Sequence, residues 1–258
     1  MKFIGCDLKE IFLHSDNSTR KFFSLLEKEC GYPYKKEVKE LEYEIKLDYI
    51  VDKLDLLNEM NRITSMFEQS ETHFVIKNNK YTDYNIDCFK RDEKEFSVFL
   101  YDGILTMKEK QHFSEKIEKH TLYRNIEVFY SNPQEIFQLL SLEEVEFIAS
   151  MRKIRYTNFM LDVVNGYVFE LSLGDCSIDQ NHQYQFEIEY FGHVCIPSIE
   201  INESKIKRTL LELTDIILEN LGESIRPSNQ TKFNFLNGHI KTNGDKNLVL
   251  NKLYQISK

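Results

Sequence analysis

Apolar and polar residues alternate strictly through Leu41-Glu42-Tyr43-Glu44-Ile45-Lys46-Leu47. A period of two predicts a β-strand over about 38–48, with Tyr43, Ile45 and Leu47 on a buried face. The other face carries Glu42, Glu44 and Lys46 in a row. A solvated face has the same pattern, so the alternation alone does not assign these charges a task. Far down the chain the design returns in Tyr184-Gln185-Phe186-Glu187-Ile188-Glu189-Tyr190, a strand expected over 184–191. Two Glu-x-Glu strands in one chain, with basic strands between them, point to a cavity that holds a divalent metal and a polyanion together.

Between the two acidic strands the pattern predicts a series of hairpins. Strands are expected at 73–79, 84–91, 94–101, 104–111 and 121–130, then at 146–158, 159–164 and 167–175. Asp102-Gly103 and Asn165-Gly166 are two-residue turn signals joining neighbouring arms. Along Ile104-Leu105-Thr106-Met107-Lys108-Glu109-Lys110, the residues Thr106, Lys108 and Lys110 share one face. Arg124 has the parity of Leu122, Ile126 and Val128, and Lys153 and Arg155 lie two apart. Helical spacing appears at 49–69, at 133–141 with Asn132 as cap and Pro133 in the first turn, and at 203–221 ahead of Gly222. A further helix capped by Ser18 carries Phe22, Phe23, Leu25 and Leu26 and stops at Gly31 and Pro33. A short helix is expected around 246–255.

Many hairpin strands flanked by helices make an α+β protein with one antiparallel sheet of about eight strands. Strands apolar on one side and charged on the other fit a closed barrel with a polar lumen and helices packed outside. The expected organisation is a helical N-terminal extension over 1–36, the barrel domain over 37–235, and a C-terminal tail over 236–258 packing on the barrel.

Composition narrows the function classes. The chain has 258 residues, 41% hydrophobic and 13% aromatic, enough for a large core; with 9 Gly and 4 Pro it is not a disordered chain. A net charge of −9 argues against a general nucleic-acid surface but leaves room for a local basic pocket. No apolar run approaches the roughly 20 residues that span a bilayer, and the acidic N-terminus is a poor signal peptide. The five cysteines, at 6, 30, 88, 176 and 195, have no C-x-x-C spacing and read as reduced thiols of a cytoplasmic protein. The seven histidines lack the spacings of a zinc site.

Four carboxylates on two strands are hard oxygen donors suited to Mg²⁺ or Mn²⁺. Like-charged carboxylates in one cavity need a cation to stay ionised together. Lysine and arginine facing the same space bind phosphate oxygens. Metal and basic side chains around a phosphate chain are the electrostatic apparatus of phosphoryl transfer.

The motifs occur in an order that resembles the triphosphate tunnel metalloenzymes, the CYTH superfamily. Glu42, Glu44 and Lys46 match its E-x-E-x-K strand. Leu105-Thr106-Met107-Lys108 resembles its L-T-hydrophobic-K strand, and Lys153-Ile154-Arg155 its K-x-R strand. Glu187-Ile188-Glu189 followed by Gly192 resembles its closing acidic strand, and Pro227 and Lys232 lie in the loop that follows its last helix. The resemblance spans about 38–235. It implies an eight-stranded antiparallel tunnel that binds a triphosphate and removes the terminal phosphate. It further implies that Glu42, Glu44, Glu187 and Glu189 hold Mg²⁺ or Mn²⁺, and that Lys46, Lys108, Arg155 and Lys232 contact phosphates, with Lys46 also orienting or activating the water. Arg124 and Lys153 are further phosphate-binding candidates. The family's tunnel aspartate is matched one position late by Asp175, so Glu170 competes with it as a metal ligand.

One departure is plain. Where the family has an R-x-R pair before the L-T-x-K strand, this chain reads Phe96-Ser97-Val98-Phe99-Leu100-Tyr101. The expected substrates are tripolyphosphate, a nucleoside or thiamine triphosphate, or an RNA 5′-triphosphate end. The alternatives are a class IV-like adenylyl cyclase and a non-catalytic polyphosphate- or nucleotide-binding module. No membrane partner is expected.

Overall fold

A computed structural model describes residues 2–3, 6–7, 24, 28, 34–35, 42–67, 73–101, 103–162, 164–194, 202–239 and 245–256. Apart from Ser24 and Lys28, which are helical, the helix expected from Ser18 lies outside the described residues, as does most of the extension over 1–36. Eight long strands form the barrel: β1 (Glu42–Tyr49), β2 (His73–Arg91), β3 (Lys94–Tyr101), β4 (Ile104–Ile117), β5 (His120–Tyr130), β6 (Glu146–Asp162), β7 (Tyr167–Ile178) and β8 (Asn181–Val194). Around the barrel the order is β1-β5-β4-β3-β2-β6-β7-β8, and β8 pairs with β1 to close it. Every pairing is antiparallel. A short strand, β9 (Ile225–Pro227), adds to the end of β1, and the pair Tyr34–Lys35 adds to the end of β8.

Two strands are longer than the pattern predicts. The segments expected at 73–79 and 84–91 are one strand, β2, and those at 146–158 and 159–164 are one strand, β6. The register between them shifts at Ile76/Lys80 and again at Cys88/Phe89. Such bulges let long strands coil around a barrel and hide the simple alternation on which the reading depended. The Asn165-Gly166 turn is where the sequence places it, with Gly166 at φ 76°.

Helices cover the outer face. α1 (Leu56–Ser65), shorter than the 49–69 expected, starts where the Asp55 side chain accepts from the Asn58 backbone N–H at 3.1 Å. α2 (Pro133–Leu140) has Asn132 as its cap and Pro133 at its start. α3 (Glu203–Leu221) is capped by Asn202 and ends at Gly222, with φ 60°. The main core lies between α1, α3 and the outward residues of β1, β7 and β8. Ile45, Leu47, Phe186 and Ile188 meet Met60, Ile63, Leu210 and Leu213 there, all of them buried. A second core sits under α2 and α5 (Lys246–Ile256), where Ile136, Leu140 and Leu253 cover Phe96, Val98 and Met107.

α4 (Lys232–His239) occupies part of the segment expected as a loop. Its Phe233, Phe235 and Leu236 pack against inward-facing apolar residues of β2, β6 and β7, among them Ile86, Met151 and Cys176. α4 thus covers part of the inner face, and the charged residues of that face are withdrawn from solvent. Glu44 is 2% and Lys46 5% exposed.

Candidate active site

Side-chain alternation sorts the charged residues into two sets. Glu44, Lys46, Lys108, Lys110, Lys153 and Arg155 line one inner chamber, together with Glu187, Glu189 and Lys232. Arg124 does not join them. It pairs in register with Tyr43, a core residue of the outer face, and is exposed there. Its parity with Leu122 and Ile126 is the outward parity of β5. Asp175 is also outside, because it alternates with Leu171 and Leu173, which face α1 and α3. Its carboxylate meets the His182 ring Nδ1 at 2.9 and 3.1 Å. Glu170, one face over, points inward and pairs with Arg155 at 3.1 Å, so the inner carboxylate of β7 is Glu170. Glu42 pairs by its backbone with Asn125; its side chain lies outside the described residues.

The chamber is a lattice of ion pairs. Lys46 Nζ lies 3.0 Å from Glu44 and 3.4 Å from Glu187, bridging the two acidic strands. This follows from register: Glu187 is directly across from Lys46, and Glu44 is across from Glu189. Lys110 meets Glu44 at 3.3 Å and Glu127 at 3.0 Å, and Lys108 pairs with Glu127. Lys153 stands 4.0 Å from Glu187 Oε2, and the same oxygen accepts from the Ser172 hydroxyl at 3.3 Å. Gly174 makes room for this arrangement. A Cβ there would meet the Ile154 carbonyl at 3.2 Å and the Lys153 side chain at 3.6 Å.

These partners fix the charge states. Burial pushes the Glu44 carboxyl up, but Lys110 and Lys46 outweigh it and hold it at about 2. Glu187 likewise sits well below the usual carboxylate range, burial being overcome by Lys153, Lys46 and Lys110. Burial pulls the Lys46 ammonium down, yet Glu44 and Glu187 keep it above its ordinary value. Lys46 is therefore a fixed cation, suited to orienting a water or stabilising negative charge and unsuited to taking a proton. Arg155 is held charged by Glu170, Glu187 and Glu189 against the effect of burial.

Lys232 is placed from outside the barrel strands. β9 sets the approach, the Ser228 N–H bonds the Lys46 carbonyl at 2.9 Å, and Gln185 donates to Asp48 at 2.9 Å and to the Gln230 carbonyl at 3.1 Å. The first residue of α4 then enters the chamber, with Lys232 Nζ 2.5 Å from the Ser97 hydroxyl. Burial lowers the Lys232 ammonium to about 8, and Lys153 and Lys108 push the same way. The charged form predominates below that value, so affinity for inorganic tripolyphosphate is expected to fall several-fold between pH 7 and pH 9. Binding at pH 9 should take up protons, and Lys232→Met should abolish the uptake; calorimetry in buffers of different ionisation enthalpy reads both. For stability the sign is opposite. The unfolded chain keeps this proton up to the ordinary lysine value, so stability rises with pH from about 8 upward.

Four Lys, Glu and His side chains described at the chamber were not among the sequence candidates. Lys110 could have been found, since it shares the face of Thr106 and Lys108. Glu127 lies on the face of β5 opposite Arg124. Glu95 and His112 form a part-buried pair: His112 Nε2 lies 3.0 Å from Glu95, and Nδ1 lies 2.6 Å from the Asn125 side-chain oxygen. Burial raises the Glu95 carboxyl, but His112 and Lys232 bring it below its ordinary value. On β3 the inward positions are Glu95, Ser97, Phe99 and Tyr101, so the acid and the rings stand where the resemblance implied two arginines.

A closed eight-stranded antiparallel barrel, with helices outside and a bore of interleaved carboxylates and cations, is the architecture that the sequence resemblance implied. The sequence matches no family model and no curated relative. Among solved structures, the chain is similar to the PH1819 protein of Pyrococcus horikoshii, at 14% identity over 77% of this chain and 99% of that one, with a TM-score of 0.46. It is similar to HpAC1 of Hippeastrum, described as having a dominant triphosphatase activity, at 15% identity over 76% and 95%, with a TM-score of 0.43. It is also similar to the RNA triphosphatase Pct1 of S. pombe, at 12% identity over 86% and 94%, with a TM-score of 0.34.

Proposed function

We propose that the chain is a divalent-metal-dependent triphosphatase that releases the terminal phosphate of a triphosphate compound. The observation that carries this reading is the Glu44–Lys46–Glu187 bridge facing Lys108, Lys153, Arg155 and Lys232 across one chamber. Fixed cations around a phosphate chain neutralise it without reorganising during the reaction.

Among the described residues no three metal-ligating side chains converge. The donor set nonetheless fits a hard cation. Glu44 and Glu187 are held ionised, both are oxygen donors, and Glu189 lines the same chamber. Glu44, Glu187 and Glu189, with Glu42 beside them in sequence, are the residues that would hold Mg²⁺ or Mn²⁺; Glu170, tied to Arg155, is a more distant candidate. The metal, when bound, supplies a Lewis acid that neutralises charge on the terminal phosphate. Arg155, Lys108, Lys153 and Lys232 bind the phosphate oxygens and set the chain's register in the bore. Lys46 orients a water against the terminal phosphorus. A new P–O bond forms as the bridging P–O bond breaks; the leaving phosphate oxygen carries the electron pair, and the water's proton passes to a phosphate oxygen.

A second reading has one observation in its favour. With Glu95, Ser97, Phe99 and Tyr101 facing inward on β3, the phosphate grip there is weaker than an arginine pair would give, which suits a binding module. Incubation with Mg²⁺ or Mn²⁺ and either tripolyphosphate or ATP decides. Orthophosphate released at many turnovers is the expected result. Pyrophosphate with cyclic AMP would make the chain a cyclase, and tight binding without turnover a binding module. No helix among the described residues is long and apolar enough to cross a membrane.

A further inference from the structure

The charged chamber opens at one side into a second cavity of different chemistry. This vestibule has a volume of about 340 Å³, within the roughly 300–1,000 Å³ of small-molecule sites. Tyr84, Phe99, Tyr101 and Phe129 form its walls, and none of the described residues lining it is a carboxylate. Tyr84 lies 5.2 Å from Phe99 and 6.4 Å from Tyr101 between ring centroids. Lys80 sits 5.9 Å over the Tyr101 ring and Lys108 5.6 Å over the Phe129 ring. Lys108, Lys153, Arg155 and Lys232 border both cavities, so they form the junction between them.

We propose that this vestibule is the subsite for the heteroaromatic base of a nucleoside triphosphate group, free or at the 5′ end of an RNA. The proposal rests on the triphosphatase reading and deepens it by naming the substrate class. A planar group attached to phosphate fits both cavities at once, stacking on these rings while its phosphates pass the cationic junction. Phe129 and Tyr101 are 59% and 42% exposed, large rings that a stacked base would cover. A site built only to hold inorganic polyphosphate would be expected to continue the cations outward. Here β3 instead turns Phe99 and Tyr101 into the path, and among the described lining residues only Lys80 adds charge beyond the junction. Ser97, Thr82 and Thr106 offer hydroxyls but no fixed donor–acceptor pair on the vestibule wall. Stacking therefore dominates, and bases are accepted with little discrimination.

The test compares wild-type protein with Phe129→Ala and Tyr101→Ser on ATP, GTP and inorganic tripolyphosphate, all with Mg²⁺. One lost stacking partner is expected to raise KM for both nucleotides about ten-fold, the scale of a single base–aromatic stack. KM for tripolyphosphate should stay within about two-fold. Equal effects on all three compounds, or none on the nucleotides, would overturn the proposal. If no compound is hydrolysed, the triphosphatase reading fails alone. Calorimetric Kd values for ATP and tripolyphosphate still test the vestibule, since ATP should bind more tightly and lose that advantage in Phe129→Ala. A triphosphorylated RNA oligonucleotide serves as a further arm; tighter binding than ATP, with the same sensitivity to Phe129→Ala, identifies the RNA end as the source of the base.

Discussion

Glu44→Gln is expected to lower the turnover of tripolyphosphate by about 10²–10³-fold, the scale of removing one preorganised electrostatic group from an active site. Glutamine has nearly the same shape but carries no charge. It removes a hard metal donor and one of the two carboxylates that set the position of Lys46. The fold should survive, and the ion-pair geometry says why. Lys46 keeps Glu187 at 3.4 Å and Lys110 keeps Glu127 at 3.0 Å, so neither cation is left buried alone. Phosphate release at saturating Mg²⁺ and substrate, read beside urea unfolding, separates the two effects. Arg124→Ala, on the outer face, is the matched control and should leave turnover unchanged. Full activity in Glu44→Gln would reject Glu44 as part of the machinery.

What the sequence disclosed depended on whether a face was read correctly. The Glu-x-Glu strands were legible because β1 and β8 run regularly through their charged positions, so Glu44, Lys46, Glu187 and Glu189 all fall where alternation puts them. Lys108, Lys153 and Arg155 were legible for the same reason. Alternation gives two faces and does not say which one is the lumen. Arg124 shares its face with Leu122 and Ile126, and the apolar face of this barrel is the outer one, under the helices. Asp175 shares its face with Leu171 and Leu173 and is lost to the outside in the same way. A rule that the inward residue is the one opposed to the apolar stripe rejects both, adds Glu127 and decides between Asp175 and Glu170 in favour of Glu170.

The long-range features were not legible. Nothing local in Ser228–Lys232 shows that it folds back on β1 and delivers an ammonium to Ser97, because the positioning bonds come from Lys46 and Gln185. Glu95 and His112 sit on adjacent strands but reach one another only through the barrel's register, which places Lys94 opposite Gln111 and Glu95 opposite Lys110. Bulges in β2 and β6 erased the alternation on which strand lengths were judged. The vestibule was hidden because its rings look like ordinary core residues in sequence, and only closure of the barrel shows that they line an open cavity.

Lys46→Met is expected to destabilise the protein by about 3–5 kcal/mol at pH 7, the range for removing one partner of a buried charge pair. A protein of this size loses roughly 2–4 °C of Tm per kcal/mol. The cause is the carboxylate pair left behind. Glu44 and Glu187 then face the same gap; Glu44 keeps Lys110 at 3.3 Å, a cation it shares with Glu127, and Glu187 keeps Lys153 only at 4.0 Å. The pH dependence carries the sign. In the wild type, the Glu44 carboxyl sits at about 2, below its unfolded value, so its contribution is present above that unfolded value and is lost as pH falls toward 2. In Lys46→Met the repulsion raises one carboxyl above its unfolded value, so acid relieves the variant while it weakens the wild type. The two stability curves therefore converge as pH drops from 7 toward 4. Mg²⁺ or Mn²⁺ should restore part of the lost Tm in Lys46→Met, and by more than either stabilises the wild type, since the cation takes over the neutralising task of the missing ammonium. A Lys46→Met protein as stable as the wild type at pH 7, with parallel pH curves and no extra response to metal, would show that Glu44 and Glu187 do not converge as described, and the metal-dependent reading would fall with them.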